Sequence, residues 1–162
     1  MAVEVKISEH GFSVVPVYFR INQTSNIHRL LYKIDTGANC TTIGRNALNL
    51  LGYDDAWIRS AGRLLTGGER LTVASGTLID DCYRIELPEI NIGGWVGYNW
   101  PITTSLSVPF RPLFGTDSMR FFNWHFDYEN GICSFELISG KRQLLFDGKE
   151  QSIHSIEEQT QL

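Results

Sequence analysis

The chemistry-bearing stretch of this 162-residue chain is Asp35-Thr36-Gly37-Ala38, entered from the apolar run that ends at Ile34. A carboxylate at a turn can work as a general acid or base if the backbone around it fixes one orientation. Gly37 permits a sharp turn and leaves main-chain N–H groups free to approach the Asp35 carboxylate. Thr36 can hydrogen-bond and brace the loop from beneath, and Ala38 keeps the floor of a site small and apolar. Asp, Thr and Gly are also ordinary turn residues, so the tripeptide acquires meaning only from its surroundings.

Other chemistries find less support. A hydrolase built on Cys40 needs a histidine base, and His10, His28, His125 and His154 carry no motif tying any of them to it. Cys40 is therefore read as a small packed residue. Cys40, Cys82 and Cys133 are odd in number and show no C-x-x-C spacing, which argues for three free thiols rather than disulfides or a zinc knuckle. The histidines lack the i, i+4 spacing of a helical metal pair, so no metal is expected; no cofactor is expected either. Asp117 is read as a carboxylate capping a helix start, and Asp127 as a surface residue before a hairpin. The four tryptophans are read as core or edge-covering residues.

The elements that must position Asp35 are mostly strands. Val3, Val5 and Ile7 alternate with polar residues, and Phe12 to Ile21 is rich in β-branched and aromatic types. His28 to Ile34 forms the strand that delivers the chain to Asp35. Further strand patterns cover 63–66, 70–79, 82–92 and 98–106. Asn130-Gly131 predicts a hairpin between His125–Tyr128 and Ile132–Ile138, and a short strand follows at Gln143–Phe146. Helical signals occur twice, over Gly44–Leu51 and Thr116–Trp124. The pattern reads as an all-β barrel with one or two short helices. Residues 1–146 would form the domain and 147–162 a polar, flexible tail.

A hydrophobic content of 43% with 20% charge suits a single globular domain. The net charge of −4 argues against a nucleic-acid surface or an anionic membrane as partner. The N-terminus has no apolar signal core, and no apolar run reaches bilayer length, so a cytoplasmic protein is expected.

Three segments together resemble the retropepsin-type (retroviral-like) aspartic protease family. Ile34-Asp35-Thr36-Gly37-Ala38-Asn39-Cys40-Thr41-Thr42-Ile43 is similar to its active-site loop. Leu113-Phe114-Gly115-Thr116-Asp117 is similar to its second marker, two apolar residues and a glycine opening a short helix. Leu65-Thr66-Gly67-Gly68-Glu69-Arg70-Leu71 sits where the family places its flap hairpin. The likeness spans about residues 10 to 138. It departs from retroviral members at Asn39, where they carry Asp, and at Thr116, where they carry a dimer-bracing Arg. The stretch 95–109 is longer than in minimal members, and is expected to form an extra hairpin or loop.

The resemblance implies a closed acid-protease barrel, one lobe per chain, with Asp35 catalytic and Thr36, Gly37 and Ala38 supporting it. It implies substrate contacts from Asn39, Thr66, Gly67 and Gly68. Because the chain holds one Asp-Thr-Gly, the second carboxylate would come from another copy, giving a homodimer that cuts peptide or protein substrates. The alternative is a dimer of the same fold that binds extended peptide, or mediates assembly, without cutting. Release from, or self-processing within, a larger precursor is a third expectation.

Overall fold

The computed structural model describes residues 2–72 and 75–138, and the backbone alone for 143–146 and 149–155. Its elements in chain order are β1 (Val3–Lys6), β2 (Val14–Arg20), β3 (Ile27–Ile34), α1 (Arg45–Leu50), α2 (Asp55–Ala61), β4 (Arg63–Leu64), β5 (Cys82–Ile92) and β6 (Trp95–Ser105). There follow β7 (Leu113–Phe114), α3 (Thr116–Met119), β8 (Phe122–Asp127), β9 (Ile132–Leu137), β10 (Gln143–Phe146) and β11 (Lys149–Ser155).

The strands pair in two sheets. A larger one runs β10-β11-β6-β5-β2-β3-β7, with β4 paired to β5 at its side; a smaller one runs β1-β9-β8. The larger sheet is traced as an open path, and the smaller packs aromatic residues against it. Phe122 and Phe135 join the same buried cluster as Val15, Val17, Tyr32, Ile34, Trp100 and Phe114. Each such side chain contributes about 1.5–3 kcal/mol when taken fully out of water, so this cluster dominates the enclosure. The alternation anticipated for β2 is clear: Val15, Val17 and Phe19 are buried, while Val14, Tyr18 and Arg20 are exposed.

Almost every pairing is antiparallel. Among the described strand pairs the exception matters: β3 and β7 run parallel, with Lys33 opposite Leu113 and Ile34 opposite Phe114. This register sets Asp35 beside Gly115, two residues 80 positions apart in the chain.

Several expectations are corrected by packing. A helix extending from Thr116 to Trp124 stops at Met119, because Phe122, Trp124 and Phe126 then alternate inward as β8. The helix α2 was not anticipated; Asp54 caps it, accepting the Trp57 N–H at 2.8 Å, and Ile58 anchors it in the core. The stretch 70–79 is not a continuous strand. The stretch 95–109 contributes β6, whose partner β5 makes an eleven-residue hairpin arm with it across Gly93-Gly94. Within the expected polar tail, 149–155 forms β11, pairing Ile153 with Gly97 and Ser155 with Trp95. The edge of β6 offers unpaired backbone groups there, and a further strand satisfies them. Among the described residues no helix is long and apolar enough to cross a membrane.

Candidate active site

Asp35 leaves the end of β3 on a loop that wraps around β7. The Asp35 N–H donates to the Phe114 carbonyl at 3.1 Å, and the Thr42 N–H donates to the Leu113 carbonyl at 2.9 Å. Successive carbonyls of a strand point to opposite sides, so β7 threads between the two limbs of the loop and pins both. Thr41 and Ile43 are tied to β6 on the far side: Thr103 N–H reaches the Thr41 carbonyl at 2.9 Å, and Ile43 N–H reaches the Thr103 carbonyl at 3.0 Å.

Within the loop, the Gly37 N–H donates to Asp35 Oδ1 at 3.0 Å, and the Ala38 N–H to the Asp35 carbonyl at 3.2 Å. The amide orients the carboxylate, as the glycine's freedom of approach suggested. A Cβ on Gly37 would sit 3.3 Å from Asp35 Oδ1. Thr36, read from the sequence as a brace beneath the loop, is exposed. The bracing inside the chain comes from elsewhere.

That support is a polar cluster centred on Thr41, Asp117, Ser118 and Trp100. Asp117 Oδ1 accepts the Thr41 N–H at 2.9 Å and lies 2.7 Å from the Thr41 hydroxyl. Thr41 Oγ1 also lies 2.6 Å from Ser118 Oγ and accepts the Gly115 N–H at 3.1 Å. A hydroxyl has one proton, and the carboxylate is the stronger acceptor. Thr41 therefore donates to Asp117, and Ser118 donates to Thr41. The indole N–H of Trp100 closes the chain by donating to Ser118 Oγ at 2.9 Å. Asp117 is thus more than the helix cap the sequence suggested. Burial pushes its carboxyl above the ordinary range, against the pull of the Thr41 and Ser118 hydrogen bonds and the charge of Arg84. The signal available in the sequence was Asp117 two places after Gly115, together with the paired threonines at 41 and 42.

A cleft of about 440 Å³ opens beside this loop, lined by Gly37, Ala38 and Asn39, by Leu71, Thr72 and Ile79, and by Val108, Phe110 and Arg111. Leu71, Thr72 and Ile79 belong to a hairpin in which Thr72 bridges Leu78 and the Ile79 N–H donates to the Leu71 carbonyl at 2.9 Å. The glycine-bearing hairpin expected at 65–71 is replaced by a single 3₁₀ turn, Gly67–Glu69, and the hairpin itself lies a few residues later. Thr66, Gly67 and Gly68 are exposed, and none of them lines the cleft. The reason is packing: Leu65, Ile79 and Cys82 form a small buried cluster with Leu71, Val108 and Phe110 against it, anchoring both ends of the segment.

The remaining candidates are accounted for by structure. Cys40, Cys82 and Cys133 are free and buried. Asp127 accepts the Asn130 side-chain and main-chain N–H groups at 2.8 and 3.1 Å, which hold it below the ordinary carboxylate range.

A mostly β chain, with a parallel β3–β7 pair gripping an Asp-Thr-Gly loop, has a retropepsin-like fold. Its likeness to solved structures bears this out. A retropepsin-like aspartic protease from Rickettsia conorii superposes with a TM-score of 0.62, over 95% of this chain and 94% of that one, at 14% sequence identity. No family model matches the sequence, and no curated protein matches it.

Proposed function

We propose that this chain is an aspartic endopeptidase whose active site is completed by a second copy, with Asp35 from each protomer forming the catalytic dyad. The observation that carries the reading is the presentation of Asp35. Its carboxylate is oriented by the Gly37 amide on a loop clamped around β7, at the edge of a cleft under a hairpin. The retropepsin-like fold of the chain supports it.

Two carboxylates about 3 Å apart cannot both ionise, so such a pair shares one proton. The ionised member takes a proton from a water lying between them, and the oxygen of that water attacks the scissile carbonyl carbon. The protonated member hydrogen-bonds the carbonyl oxygen as it becomes a tetrahedral oxyanion. Collapse breaks the C–N bond, and a proton passes to the leaving amine. Water is the nucleophile, so no metal or organic cofactor is required. Thr36 is exposed and so open to contact from a partner protomer. Substrate would lie extended between the protomers against Ala38 and Asn39, covered by the paired Leu71–Thr72 and Leu78–Ile79 segments.

The test is cleavage of a mixed peptide library from about pH 4 to 7, with wild type beside Asp35→Asn at several protein concentrations. Cleavage that vanishes in the variant and rises faster than linearly with concentration supports the dimeric dyad. A folded, dimeric wild type that cuts nothing would transfer the reading to a peptide-binding module of the same fold.

A further inference from the structure

Arg111 is the one charged side chain among the residues that line the cleft beside Asp35. Its backbone is held firmly: the Arg111 carbonyl accepts the Thr42 hydroxyl at 2.6 Å, and the next carbonyl, of Pro112, accepts the Lys33 N–H at 3.0 Å. The side chain is exposed, and among the described residues it makes no ion pair or hydrogen bond. Other charges on the strand-and-hairpin segment are already satisfied. Arg63 pairs with Glu69 at 2.8 Å and Arg70 with Asp80 at 2.6 Å, while Asp81 takes the hydroxyls of Ser105 and Ser107 at 2.7 and 2.8 Å. Asn39, in the same cleft, is neutral. Among the described residues no ion pair or hydrogen bond neutralises the guanidinium, and the cleft wall around it is largely apolar.

We propose that Arg111 is a specificity-determining residue, selecting peptide substrates with a glutamate or aspartate side chain beside an apolar one. The inference rests on the cleft being the peptide groove, as the proposed function has it, and adds the substrate class. A guanidinium offers a planar fork that a carboxylate fills with two hydrogen bonds, and apolar walls around it strengthen the attraction relative to open solvent. In a symmetric dimer Arg111 occurs twice, so the preference recurs on both sides of the scissile bond. An exposed pair of this kind is worth about a two- to fivefold effect on affinity.

The experiment compares peptides that differ only by Glu or Gln at each position. Cleavage is read with wild type and Arg111→Gln, and binding by fluorescence anisotropy is read with each on an Asp35→Asn background. The Gln substitution keeps the main-chain carbonyl that holds Thr42, and thermal unfolding checks that the variants are folded. Wild type should favour the Glu peptide by about two- to fivefold at low salt, less at high salt, and Arg111→Gln should favour neither. Arg111→Glu should turn the preference toward the Gln peptide. Equal handling of Glu and Gln by wild type, or a Glu preference that survives in Arg111→Gln, overturns the inference. Arg111-dependent binding without cleavage leaves it standing while removing the peptidase reading. Cleavage without the preference removes the inference alone, and neither cleavage nor binding removes both.

Discussion

The carboxylate of Asp117 holds Thr41 by two hydrogen bonds, from its N–H at 2.9 Å and its hydroxyl at 2.7 Å, and so joins α3 to the loop that carries Asp35. Removing the acceptor strands a main-chain donor and a hydroxyl in a part-buried place. Asp117→Ala should cost about 2–3 kcal/mol in urea unfolding, and Asp117→Asn, which keeps one carbonyl acceptor, about 1 kcal/mol. A Thr41→Val, Asp117→Ala double-mutant cycle should show coupling above about 0.5 kcal/mol; strict additivity would mean the pair does not act as a unit.

The same contact has a pH signature. Burial holds the Asp117 carboxyl above the ordinary range, so between the ordinary and the raised value the folded state binds a proton more tightly than the unfolded chain. The stability this confers is complete below that window and is lost as pH rises through it. Asp127 runs the opposite way: its carboxyl is held low by Asn130, so its contribution is present above the ordinary value and lost as pH falls. Unfolding free energies of wild type and Asp117→Asn, measured from about pH 3 to 7, should show wild type losing ground as pH rises. Against Asp127→Asn wild type should gain. A flat difference for Asp117 would mean its carboxyl is not shifted.

Much of the site was readable because its signals are local. A strand pattern running into Asp35-Thr36-Gly37, and Leu113-Phe114-Gly115 before a short helix, each declare themselves within ten residues. The Asn130-Gly131 hairpin was equally legible, and Gly131 adopts the positive φ of 68° that such a turn needs. What was not legible depends on distant partners. The sequence pattern put the hairpin at 65–71 and a strand over 70–79; the buried packing of Leu65, Ile79 and Cys82 instead pairs Thr72 with Leu78. The end of α3 was misplaced because Met119, Phe121 and Phe122 fit either period until β9 supplies a ladder for Phe122 onward. The helix α2 went unread because seven residues with one fully buried anchor make a weak periodic signal, although Asp54 caps it. The link from Asp117 to Thr41 spans 76 residues, and no pattern within a window reports it.

Gly115 and Gly68 should respond very differently to a single methyl group. A Cβ on Gly115 would lie 2.5 Å from both the carbonyl carbon and oxygen of Cys40, and 2.9 Å from the Ala38 carbonyl oxygen, all of them backbone of the loop that carries Asp35. Gly115→Ala should cost about 1–3 kcal/mol or more and displace the Asp35 loop, abolishing cleavage. Gly68 has nothing within 4 Å of its added methyl, and Gly68→Ala should change stability by less than about 1 kcal/mol. Thermal unfolding beside peptide cleavage reads both. Loss of cleavage in a stable Gly68→Ala would make the 67–69 turn, rather than the segments paired at Thr72 and Leu78, the element that meets substrate.

Cys40 is the natural rival to Asp35, because it stands in the cleft wall three residues from Gly37. Its environment argues against nucleophilic chemistry. Burial first, and then the nearby charge of Asp117, push the thiol up to about 11. At neutral pH the thiolate is then on the order of one part in ten thousand, and the thiolate is the reactive form. Iodoacetamide should therefore leave Cys40 unmodified in the folded protein and label it readily in urea, as mass spectrometry of the peptides would show. Cys40→Ala should retain cleavage, with a cavity cost of about 1 kcal/mol, while Asp35→Asn should have none. Rapid labelling of native Cys40 accompanied by loss of cleavage would move the nucleophile from an activated water to the thiol, and the aspartic mechanism would fail with it.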